Sequence, residues 1–167
     1  MRLITVTACL TLLCVSAALC APAGGGAASA PLGPLQIAIP DLVVKQVEVS
    51  RGGGEFPPYT FKITVANIGT RDAGPTKTGI IQYVLVRTDQ PMQAGYLGEV
   101  ATPAIPAGGQ TVVALTLNYG WAKGYLFVTA DFPTTSARLG AVRERNEGNN
   151  TLNVPLDTSA SFPRTFK

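Results

Sequence analysis

The sequence predicts an all-β protein, an immunoglobulin-like Greek-key β-sandwich of about seven strands preceded by a cleavable signal peptide and a flexible linker. Three observations carry that expectation. Apolar and polar residues alternate in several short runs, as half-buried antiparallel strands require. The eighteen glycines and thirteen prolines fall mostly between those runs, where turns need them. No segment carries a convincing apolar period of a helix.

The first residues set the expected compartment. Met1-Arg2 gives one positive charge, Leu3 to Leu19 is uncharged and mostly apolar, and Ala18-Leu19-Cys20-Ala21-Pro22-Ala23 offers small residues to a signal peptidase. Residues 1–23 therefore read as a signal peptide, cut after Cys20 or after Ala23, and the mature chain is expected to be secreted, periplasmic or at the cell surface. Thr5, Thr7, Thr11 and Ser16 dilute the run and no basic cluster follows it, which argues against a retained membrane helix. Cys9, Cys14 and Cys20 all lie in or beside this segment, so no disulfide is expected in the mature domain. Acylation at Cys20 is disfavoured because Leu19 stands where a small residue is needed.

Residues 24–40 are rich in Gly, Ala and Pro and read as a tether, in which Leu35, Ile37 and Ile39 alternate and could add a short edge strand. The sandwich domain is placed at residues 41–156. Its strands are expected at Leu42 to Val49, Tyr59 to Ala66, Ile80 to Arg87, Tyr96 to Ala101, Thr111 to Leu117, Tyr125 to Ala130 and Leu152 to Leu156. The second is the clearest, since Tyr59, Phe61, Ile63 and Val65 are large and apolar while Thr60, Lys62, Thr64 and Ala66 are polar or small. The turns RGGGEFPP, NIGTRDAGP, TDQPMQAG, IPAGGQ, NYGWAKG and NEGNN separate them. The tail, 157–167, has no strand pattern and is expected to fray, although Phe162 and Phe166 offer docking groups.

Composition argues against catalysis. There is no histidine, which removes Ser-His-Asp and Cys-His arrangements and most catalytic zinc sites. Gly52-Gly53-Gly54 is not followed by the Lys-Ser or Lys-Thr of a phosphate loop. A carboxylate pair could still serve a hydrolase, but the ten acidic residues are dispersed. The net charge of +3 is spread along the chain and leaves no footprint for nucleic acid. No catalytic residue, cofactor or metal is therefore assigned.

Two segments carry candidate chemistry. Arg143-Glu144-Arg145-Asn146-Glu147-Gly148-Asn149-Asn150-Thr151, with Asp131, holds oxygen donors suited to calcium, yet lacks calcium-loop spacing and reads better as a turn, with Gly148, Asn149 and Asn150 as turn residues. Asn149-Asn150-Thr151 also fits a glycosylation sequon. Tyr119 and Trp121, in an aromatic hairpin tip, are the candidate ligand surface, against the plainer reading that Trp121 closes the end of the sandwich.

Four segments together resemble the bacterial cell-adhesion-related domain, CARDB: Asp41-Leu42-Val43-Val44, Val65-Ala66-Asn67-Ile68-Gly69 through Ala73-Gly74, Ile105-Pro106-Ala107-Gly108-Gly109-Gln110, and Val128 to Asp131 followed by Glu144-Arg145-Asn146-Glu147-Gly148-Asn149-Asn150. The resemblance implies an immunoglobulin-type sandwich from an exported surface protein. Asn67 and Gly69 would turn the chain out of the second strand, and Asn149 and Asn150 would cap the approach to the last. Gln90 to Pro106 and Phe132 to Val142 are longer than the family pattern and become the expected binding surface. The expected function is non-catalytic binding or adhesion to a protein or glycan, by a monomer with no membrane span after signal cleavage. Assembly by edge-strand pairing is the alternative.

Overall fold

In the computed structural model, residues 37–84, 93–118, 123–133 and 140–167 are described. The signal peptide, most of the linker, and Tyr119 and Trp121 lie outside them. The strands are β1 (Leu42–Arg51), β2 (Pro58–Asn67), β3 (Thr76–Val84), β4 (Gln93–Thr102), β5 (Gln110–Asn118), β6 (Lys123–Thr129), β7 (Thr151–Asp157) and β8 (Arg164–Phe166). They form two antiparallel four-stranded sheets, ordered β5-β2-β1-β8 and β4-β3-β6-β7. The all-β sandwich is thus the observed fold. In a constant-type immunoglobulin domain the fourth strand joins the first, second and fifth, whereas here β4 pairs with β3.

Side-chain alternation explains the core. Tyr59, Phe61, Ile63 and Val65 point inward from β2, as the sequence pattern predicts, and meet Ile80 of β3, Leu126 and Val128 of β6, and Val154 and Leu156 of β7. On β1 the inward set changes parity, from Leu42 and Val44 to Val47 and Val49. A bulge makes that change without losing the face: Val44 pairs with Val65 and Gln46 with Thr64, leaving Lys45 as the extra, exposed residue.

Three expectations are corrected. The tail does not fray: Arg164–Phe166 pairs with Val47–Val49, and Phe162 meets Tyr59 edge-on with ring centroids 5.5 Å apart. Its apolar rings supply the burial that a polar tail would lack. Ile37 and Ile39 add no strand; the backbone there is instead tied by Thr70 N–H donating to Ile39 C=O and Arg145 N–H donating to Pro40 C=O. The strand expected at Tyr96 to Ala101 is present but longer, Gln93–Thr102, so that β4 takes up most of the Gln90 to Pro106 segment and leaves little of it as a loop.

Candidate binding face

The outer faces of the two sheets differ in chemistry. On β5-β2-β1 the outward side chains include Lys62, Glu48, Thr60 and Thr116, with Lys62 3.9 Å from Glu48 and the two threonine hydroxyls 3.0 Å apart. That is a solvated face of the ordinary kind. On β4-β3-β6-β7 the outward residues include a central aromatic and aliphatic patch of Ile81, Tyr83, Tyr96, Tyr125, Phe127 and Pro155, flanked by Lys77, Glu99, Lys123, Asp157, Asn153 and the Thr129–Thr151 hydroxyl pair.

The register builds this second face in rows. Tyr96 of β4, Ile81 of β3, Phe127 of β6 and Asn153 of β7 lie opposite one another, and the neighbouring row runs Ala94, Tyr83, Tyr125 and Pro155 across all four strands. Tyr83 and Phe127 pack edge to face between rows, centroids 4.8 Å apart. Tyr96 is 59% exposed and Tyr125 50% exposed. One side of the sheet therefore presents aromatic surface where an antiparallel sandwich normally presents polar groups.

Phe132 closes one end of the face. Its backbone N–H donates to Lys77 C=O at 2.7 Å, and its ring lies over Gly79 and within 5.9 Å of the Tyr96 ring. Any Cβ at Gly79 would overlap that ring, so glycine is required by the close approach. Lys77 and Glu99 pair beside it. Partial desolvation, and then the Glu99 carboxylate, hold the Tyr96 hydroxyl above the ordinary tyrosine value.

The other end is bounded by a hollow of about 410 Å³ lined by Tyr125, Pro155, Lys123, Asp157, Ala160 and Arg164. Lys123 reaches Asp157 at 3.3 Å, and hydrogen bonds from the hydroxyl and backbone N–H of Ser159 hold the Asp157 carboxyl below its usual range. Both ends of the aromatic face thus carry internally compensated charge pairs.

The turn residues named from sequence gather elsewhere, at the end of the sandwich where β1 begins. Asn67 Oδ1 accepts from Asp41 N–H at 3.1 Å and Gly69 N–H at 3.0 Å, while its amide donates to the carbonyls of Arg71 and Ile105. A side chain on Gly69 would collide with the backbone of Ile39 to Asp41. Glu144 Oε2 accepts from Leu42 N–H at 3.0 Å, Asn149 donates to Asp41, Gly148 N–H donates to Asn146, and the Asn150 carbonyl accepts from Ala130 N–H. Asp131 accepts from the Thr76 hydroxyl and from the N–H groups of Ala141 and Val142. The carboxylates considered for calcium thus hold the chain's own backbone, and among the described residues no three His, Cys, Asp or Glu side chains gather as a metal site.

The sequence pattern points to Tyr119 and Trp121, in the tip that runs on to Tyr125, and not to Tyr83, Tyr96 and Phe127. The signal for the outer face was a loss of alternation in Ile80-Ile81-Gln82-Tyr83-Val84 and Tyr125-Leu126-Phe127-Val128, where both strand faces are apolar. Comparison with protein-family models, with curated proteins and with solved structures finds no match.

Proposed function

We propose that this chain is an exported, non-catalytic binding domain that recognises a neutral glycan at the cell surface or in the periplasm through the aromatic outer face of β4-β3-β6-β7. The observation that carries the reading is the pair of cross-strand rows centred on Tyr96, Phe127, Tyr83 and Tyr125. Sugar rings have apolar C–H faces that stack on aromatic rings, and tyrosine adds a hydroxyl for hydrogen bonding. A sheet holds those rings in fixed positions, so little rotamer freedom is lost on binding. The charge pairs Lys77–Glu99 and Lys123–Asp157 at its ends leave the aromatic patch between them uncharged, which suits a neutral ligand. The resemblance to CARDB and the leading apolar segment support export.

Affinity electrophoresis of the exported protein through gels containing neutral polysaccharides tests this. The expected result is retardation by at least one polysaccharide, abolished in Tyr96→Ala/Tyr125→Ala with the melting temperature retained. Equal mobility of the variant and the parent in every gel would overturn the glycan reading. So would variant-sensitive capture of an envelope protein with no retardation by any polysaccharide, which would reassign the face to a protein ligand.

A further inference from the structure

The four edges of the two sheets are not equally protected against pairing with another chain. β4 carries a bulge, since Ile80 pairs with Gly98 and Ile81 with Tyr96, and it bears Glu99 in an ion pair. β7 contains Pro155, which lacks a backbone donor, and ends on Asp157. β8 is three residues long and follows Pro163. The uncovered start of β1 is occupied by Glu144, which takes the Leu42 N–H, and by Arg145, which bonds Pro40. Bulges, prolines, charges, shortness and cover are the devices by which sandwiches blunt their edges.

Among the described residues, β5 has no bulge, proline or charge, and no strand pairs with its free side, although β4 lies against its inward leucines. Its sequence is QTVVALTLN, nine residues without charge or proline, paired with β2 in continuous register from Asn118 opposite Pro58 to Gln110 opposite Ala66. Its outward residues Gln110, Val112, Ala114, Thr116 and Asn118 are all exposed, Val112 at 59%. Leu115 and Leu117 point inward against Gly98 of β4 and are partly buried at the rim of the core. An uncharged edge in continuous register, with leucines only partly buried at its rim, is a template for another strand.

We infer that β5 is a homodimerisation edge, on which the β5 strand of a second copy pairs antiparallel about a two-fold axis at Ala114. The strand is complementary to itself in this register. Ala114 faces its own copy, Val112 faces the second copy's Thr116, and Gln110 faces the second copy's Asn118, with no charge opposed to a like charge. Because opposed residues keep the same parity, the inward rows also align, and Val113 meets the second copy's Leu115 while Thr111 meets its Leu117. The partly buried leucines gain cover, and the free backbone groups of both edges are satisfied.

This dimer has a functional consequence that rests on the proposed binding face. A two-fold axis normal to the joined sheet leaves both copies of β4-β3-β6-β7 on its same side. The two aromatic faces then point in one direction, as a bivalent surface for a repetitive glycan, where linked sites gain avidity without new contacts.

Sedimentation of the exported protein over a concentration series, with two double variants, tests the edge. Residues 112 and 116 lie about 13 Å apart along one strand, too far to pair within a chain, but face each other across the two-fold. Val112→Lys/Thr116→Lys opposes lysines twice and is expected to weaken dimerisation by about tenfold or more. Val112→Lys/Thr116→Glu opposes a lysine to a glutamate twice across the two-fold, and is expected to restore association in a salt-sensitive way. Circular dichroism melts check that both variants fold. A parent that stays monomeric up to millimolar concentration would overturn the inference, as would a Lys/Glu variant that associates no better than the Lys/Lys one. Tyr96→Ala/Tyr125→Ala is expected to dimerise normally, so loss of the edge and loss of glycan binding are separately visible.

Discussion

The side chain of Glu144 accepts a hydrogen bond from the backbone N–H of Leu42 at 3.0 Å, across 102 residues of sequence. It joins the segment before β7 to the first residue of β1. Glu144 is buried, with Oε1 lacking any donor, and the Oδ1 atoms of Asn149 and Asn150 in the same segment are also buried without donors.

A pH dependence of stability follows from this arrangement. Burial, opposed in part by the Leu42 hydrogen bond and reinforced by the charges of Asp131 and Glu147, raises the Glu144 carboxyl from 4.5 to about 7. The folded state then binds this proton more tightly than the unfolded chain does. The stabilising contribution is full below pH 4.5, falls as pH rises through the window to about 7, and is flat above it. Glu144→Gln keeps the acceptor for Leu42 and removes the charge, so it should match the parent near pH 4.5 and exceed it at pH 8 by on the order of 2 kcal/mol. Urea unfolding of both proteins across that range reads the difference. A difference that stays constant with pH would show that Glu144 is not the titrating group.

Chelation should leave the melting temperature unchanged. Glu144 Oε2 and both Asp131 oxygens already accept backbone N–H groups, and Glu147 Oε1 accepts from Glu144 N–H at 3.0 Å. A cation present at 100 times its dissociation constant would stabilise the fold by about 2.7 kcal/mol, which calorimetry with and without chelator resolves. A fall of several degrees would assign an ion to the donor-less oxygens of Glu144, Asn149 and Asn150.

Phe61 and Lys62, adjacent on β2, should respond oppositely to alanine. Phe61 is fully buried at the centre of the core, and removing its ring should cost about 3 to 5 kcal/mol. Lys62 is exposed and only 3.9 Å from Glu48, a surface contact whose loss should stay within about 0.5 kcal/mol. Denaturant melts compare them. Equal destabilisation would mean that the inward and outward faces of β2 have been exchanged by a one-residue slip.

The sequence by itself determined the strands, their inward residues on β2, and the turn chemistry between them, because these depend on local backbone preference and on a two-residue period. It even contained the β1 bulge, as the change of parity between Val44 and Val47. What the period cannot state is what covers a face or an edge. Ile81, Tyr83, Tyr125 and Phe127 read as apolar on their second face, a pattern equally suited to double burial, and only the stacking of the two sheets leaves that face open. QTVVALTLN reads like an interior strand, and it becomes an edge because β2 takes one side of it and no described strand takes the other. The tail acquires β8 only because folding brings Val47–Val49 to Arg164–Phe166, and Glu144 acquires its partner only when β1 arrives beside it. These outcomes are decided by contacts between residues distant in the chain, whose ordering cost is met only when the whole sandwich forms.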